Sequence, residues 1–72
     1  MEKIYIHTEF IKLQQALKLA GFIDQGSDVK YFLSKGIVYV NGEVATERGK
    51  KLRHGDIIEV KGVGSAEIEL EA

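Results

Sequence analysis

The chain has no cysteine, which removes both a disulfide framework and a thiolate zinc site as sources of stability. No apolar run approaches the ~18 to 20 residues of a membrane span, and nothing after Met1 resembles a signal peptide. A soluble, cytoplasmic protein is therefore expected. His7 and His54 lack any histidine or carboxylate at ligand spacing, so each reads as a surface or turn residue and no metal is expected. No nucleophile motif and no phosphate-cradling Gly-x-x-x-x-Gly-Lys loop occurs. Asp24 and Asp28 can share a helix face, yet a pair at a helix start is explained by capping and the helix dipole. Neither catalysis nor a cofactor is expected. Nothing repeats, and no segment is of low complexity.

What is present is a globular composition, 44% hydrophobic, in 72 residues. That describes one domain, residues 1–72, with a thin core near the lower limit for folding without staples. The net charge of −1 hides a segregation. Residues 10–55 hold eight basic and four acidic side chains, a local charge of +4, while the two ends together carry −5. Such a split is the footprint of an anionic partner on one part of the surface, or merely a solvated basic loop.

The central stretch, 27–42, reads as an amphipathic helix running directly into a hairpin. Val29, Phe32 and Leu33 fall at i, i+3, i+4 and form one apolar face, whereas Ser27, Lys30 and Ser34 share another. Gly36 suits the left-handed residue that closes a helix, with Lys35 in the last turn. Residues 37–40 form a short β-branched and aromatic run ended by Asn41-Gly42, a type I′ hairpin signal. Ahead of this, residues 3–7 alternate with Ile4 and Ile6 inward, a half-buried strand. Residues 12–20 form a first helix, with Leu13, Ala16, Leu17 and Ala20 on its apolar face and Gly21 closing it. Phe22 and Ile23 are an apolar plug.

After the turn, residues 43–45 return as a strand, and 46–53 form a basic loop anchored by Leu52. Residues 57–60 are a strand with Ile58 and Val60 inward, and 62–65 are a turn. Residues 67–71 alternate with Ile68 and Leu70 inward and glutamates outward, which reads as a charged edge strand. The expected class is α+β, two short helices packed on a small antiparallel sheet in the order β-α-α-β-β-β-β.

These motifs, in this order, resemble the RNA-binding domain of small-subunit ribosomal protein four, the S-four domain. The resemblance rests on Lys12-Leu13, Leu17-Lys18-Leu19-Ala20-Gly21 and Ser27-Asp28-Val29-Lys30, then on Gly36-Ile37-Val38-Tyr39-Val40-Asn41-Gly42 and Leu52-Arg53-His54-Gly55-Asp56-Ile57-Ile58. It covers about residues 10–60. Residues 46–52 and the extra terminal strands, 3–7 and 66–71, resemble the small stand-alone members of the YaaA/YbcJ type. Gly26 stands where many relatives carry arginine, and Lys30 keeps the second basic position.

The resemblance implies an alpha-L RNA-binding motif, in which two helices and a hairpin form an L-shaped surface for structured RNA, ribosomal RNA above all. The residues it points to are Lys12, Ser27, Lys30, Lys35, Tyr39, Asn41, Arg48, Lys50, Lys51 and Arg53. Tyr39 reads either as cross-strand packing or as a stacking platform for an unpaired base, and Asn41 is first a turn residue. Larger relatives fuse this domain to enzyme bodies, for which 72 residues leave no room. The implied function is a non-catalytic, monomeric RNA-binding module of ribosome assembly or maintenance, with a ribosomal subunit or assembly factors as implied partners and no membrane partner. The alternative is a protein-interaction adaptor that uses the sheet edge and Tyr5.

Overall fold

Alternation of apolar residues in the strands and a 3–4 spacing in the helices converge on one buried layer between them. The computed structural model describes residues 1–24 and 26–71, the side chains at positions 26 and 27 excepted. Its elements are β1 (Glu2–Ile6), β2 (Ile11–Lys12), α1 (Leu13–Leu19), α2 (Gly26–Ser34), β3 (Val38–Val40), β4 (Glu43–Val44), β5 (Lys51–Leu52), β6 (Ile57–Val60) and β7 (Gly64–Leu70). Five strands form a sheet in the order β1-β7-β6-β3-β4, and β2 pairs with β5 as a separate two-stranded ribbon.

The core takes Ile4, Ile6, Val38, Val40, Ile58, Val60, Ala66 and Ile68 from the inner face of the sheet. Leu13, Ala16, Leu17 and Val29 descend onto them from the helices, and Ile23 fills the corner between. Phe22, Phe32 and Leu33 pack half-buried around this centre. Phe22 lies against Gly64, where an added Cβ would meet its ring at 3.2 Å.

The turns follow their residue chemistry. Gly36 has φ +69°, closing α2, and the Asn41-Gly42 pair has φ of 51° and 86°, both positive as a type I′ turn requires. Asn41 does more than turn the chain. Its backbone N–H donates to the Ile57 carbonyl (2.8 Å), its Oδ1 accepts from the Ile57 N–H (2.9 Å), and its Nδ2 donates to Asp56 Oδ1 (3.1 Å). Asp56 Oδ2 accepts from the Arg53 N–H at 2.8 Å. The hairpin tip is thereby clasped to the turn that precedes β6.

Four expectations are corrected. The sheet is antiparallel except at one edge, where β1 runs parallel to β7; alternation reports which face is buried, not the direction of the neighbour. For the same reason β7 is an interior strand, and β1 and β4 are the edges. Its outward glutamates mark a solvated face rather than an edge. Leu70, expected inward, is 48% exposed, since it sits at the end of β7 beyond the core. Finally, the expected loop 46–53 contains β5, whose two residues are too short a run to carry a periodicity signal.

On the outer face Lys3 Nζ donates to Glu69 Oε1 at 3.0 Å. That hydrogen bond, then the charge of Lys3, holds the Glu69 carboxyl below its ordinary 4.5, and the same contact raises Lys3 above 10.5. His54 Nδ1 accepts from the Leu70 N–H (3.0 Å), a structural use of that ring.

Two predictions follow from this packing. Gly42→Val forces a β-branched residue to positive φ and should lower stability by ~1 kcal/mol or more, read as a drop in melting temperature. The Lys3–Glu69 contribution is present between the two ordinary pKa values, about pH 4.5 to 10.5. It fades as pH falls through the lowered Glu69 value and as pH rises through the raised Lys3 value. The gap in urea midpoint between the parent chain and Lys3→Met should therefore close at both extremes; a gap independent of pH would contradict the pairing.

Candidate nucleic-acid interface

Ile11 and Leu52 are buried partners across the β2/β5 ribbon, and this apolar pair sets the register of its flanks. The next pair is Lys12 opposite Lys51, two exposed cations facing each other across an antiparallel ladder. Like charges so placed are destabilising. The half-buried Phe10 sits beside them, with Lys51 Nζ 4.8 Å and the Arg53 guanidinium 5.9 Å from its ring centroid. Lys51 and Arg53 thus converge on one aromatic from the neighbouring strand, and Lys12 stands opposite Lys51, although about forty residues separate the two strands in sequence.

The segment leading into β5 is held by α1. The Leu13 N–H donates to the Lys50 carbonyl (2.8 Å) and the Gln14 N–H to the Arg48 carbonyl (3.0 Å). The Lys12 N–H is taken by Gln15 Oε1 at 3.2 Å. The free donors that open a helix are therefore partly consumed by the chain itself. Any anion here must be met by side chains, and those of Arg48 and Lys50 remain exposed. On the other side the same loop faces α2 across an open groove of about 580 Å³, lined by Lys30, Leu33, Ser34, Thr46, Glu47 and Arg48. Lys30 on α2 and Arg48 on the loop border one depression.

Of the residues singled out from sequence, the ribbon gathers Lys12, Lys51 and Arg53, and the loop with its groove gathers Lys30, Arg48 and Lys50. Lys35 lies apart, its ammonium 5.1 Å from the Tyr31 ring centroid. Asn41 has its carboxamide engaged in the clasp on Asp56 and Ile57. Tyr39 alternates with the buried Val38 and Val40, so it points away from the helices. Its partners there are Glu59 and Val44, with Lys61 Nζ 5.9 Å from the ring centroid. Ser27 belongs to the first turn of α2, and its side chain lies outside the described residues. Phe10, Thr46 and Glu47 were not singled out from sequence; Phe10-Ile11-Lys12 matched against Lys51-Leu52-Arg53 was the available signal, but only the pairing reveals it. Among the described residues no group of three or more histidines, aspartates or glutamates could hold a metal, and no helix is long and apolar enough to cross a membrane.

The opposed lysines yield a stability prediction. Lys12→Glu replaces a repulsion with a cross-strand ion pair and puts a carboxylate beside the start of α1, so stability should rise by on the order of 0.5 kcal/mol. Chemical denaturation would measure it, and a loss of stability would mean the two ammonium groups do not oppose each other in solution.

Comparison with known proteins adds two findings. The family model described as the S4 domain matches residues 4–69. The Bacillus subtilis (strain 168) protein named "Probable ribosome maturation protein RlbA" is 48% identical over 65 residues, covering 90% of this chain and 92% of that protein. The family match reaches from β1 to β7 and takes in both helices, the ribbon and the clasp, and the chain belongs to the S4 domain family.

Proposed function

We propose that this protein is a non-catalytic module that binds structured RNA, ribosomal RNA in particular, and acts in ribosome maturation in the cytoplasm as a monomer. The observation that carries the reading is the Lys12–Lys51 opposition beside Phe10, continued by Arg48, Lys50 and Lys30. Such an arrangement weakens the free fold and is relieved when a polyanion lies across it. Family membership and the printed name of the Bacillus relative support the same direction. In this reading Lys12, Lys51, Arg53, Lys30, Arg48 and Lys50 neutralise phosphates, and Phe10 supplies an apolar face close to them. Ser27 joins them at the start of α2 by family resemblance.

Tyr39 and Asn41 serve this function indirectly, through the sheet and the clasp, and Lys35 contributes at the margin. The adaptor reading rests on a different surface, the β1 edge with Tyr5, which is 58% exposed. It predicts binding that depends little on salt, because apolar docking releases few ions.

Titration of ribosomal RNA fragments at several salt concentrations separates the two. Replacing Lys12 and Lys30 together by alanine should make the slope of log affinity against log salt shallower by roughly 1.5, the sum for two phosphate contacts. Stability should change by less than ~0.5 kcal/mol, since both side chains are exposed. Neutralising Glu67 and Glu71 should leave the slope alone. An unchanged slope in the folded double-lysine variant would remove these two residues from the site.

A further inference from the structure

Glu47 is out of place in a phosphate track. It lines the groove between α2 and the 46–49 loop, where Lys30 and Arg48 supply the positive charge. A carboxylate there repels phosphates. Nor does it serve as an internal counter-ion: among the described residues the lysine–carboxylate ion pair is Lys3–Glu69, and Glu47 takes no part in it. The loop that presents it is held in place, by the Glu47 carbonyl accepting from the Lys50 N–H (3.3 Å) and by the two carbonyl contacts to α1.

Ser34 adds an acceptor to the same groove. Ser34 Oγ spends its proton on the Tyr31 carbonyl (2.7 Å), which leaves its lone pairs for a ligand. Leu33 is half-buried and offers an apolar wall. The space, about 580 Å³, lies within the ~300–1,000 Å³ range of pockets that take small molecules or a single extruded base. Cations, an apolar wall and acceptors lining one groove match a nucleotide whose phosphates meet Lys30 and Arg48 while its base lies against Leu33 and Glu47.

Resting on the RNA-binding reading, we propose that this groove receives an unpaired guanine and that Glu47 is the residue that reads it. On its Watson–Crick edge guanine alone among the four bases presents two adjacent donors, N1–H and the N2 amino group. A carboxylate accepts both at once, whereas adenine, cytosine and uracil each present a single donor there. A bidentate contact of this kind discriminates between bases by about 5- to 150-fold.

The test is a selection of stem-loop RNAs with a fixed stem and a fully randomised loop, retained on the immobilised protein and sequenced. The parent chain should enrich guanine at one loop position by at least about fivefold over adenine. Glu47→Gln should lose that enrichment yet retain RNA with the parent's salt dependence, while Lys30→Ala and Arg48→Ala should weaken retention whatever the loop sequence. A retained pool with no guanine enrichment overturns the assignment even if the variant fails to fold, and so does enrichment that persists in a folded Glu47→Gln. Retention of no stem-loop above input would instead defeat the RNA-binding reading, and this assignment with it.

Discussion

The hydrogen bonds radiating from Asn41 hold together parts of the chain that would otherwise be independent. A 72-residue domain has little core to spare, and β4, β5 and β2 are two residues each. Strands that short cannot place themselves. The Asn41 carboxamide ties the β3–β4 turn to Ile57 and Asp56, and the other oxygen of Asp56 ties Arg53, the residue that follows β5. Each such bond contributes on the order of 1 kcal/mol, a sizeable fraction of the stability of a domain this small. The larger effect is geometric. With Arg53 held, β5 lies where β2 can pair with it, and Lys12 comes to face Lys51.

From this constraint follows a molecule with two unlike faces. The helices, the ribbon and the 46–50 loop present lysines and arginines above the apolar layer. The opposite face of the sheet carries Glu59, Glu67 and Glu69 together with Lys3, Lys61, Tyr5 and Tyr39. The excess of positive charge therefore lies on the first face. The loop itself is fastened by its backbone to the first turn of α1, leaving its side chains for a ligand.

The Lys12–Lys51 opposition and the Asn41 clasp illustrate opposite relations between stability and function. The clasp satisfies every donor and acceptor it uses and strengthens the fold. The lysine pair works against it, offset in part by the Phe10 ring under Lys51, and local rules of this kind are broken chiefly at functional sites. Glu47, unpaired among cations, is a second such departure in the same region.

Much of the fold was legible beforehand because it depends on local periodicity. The existence of the two helices, though not their exact ends, the inward Ile4, Ile6, Ile58 and Val60, and the positive φ at Asn41-Gly42 follow from spacing and turn chemistry, which act over a few residues. The candidate cations were visible as residue types in a basic middle segment. Which of them meet was not. The parallel β1/β7 edge, the interior position of β7, the β2/β5 ribbon and the use of Asn41 as a clasp are all contacts between distant segments. By itself the sequence determined which face of the helices and of the longer strands is apolar and where the hairpin turns, because those depend on side-chain order along the backbone. Only the tertiary structure decided that Lys12 stands opposite Lys51, that Lys30 shares a groove with Arg48, and that Tyr39 points elsewhere, because each depends on how separate elements pack, and packing distances are not written in any single stretch of chain.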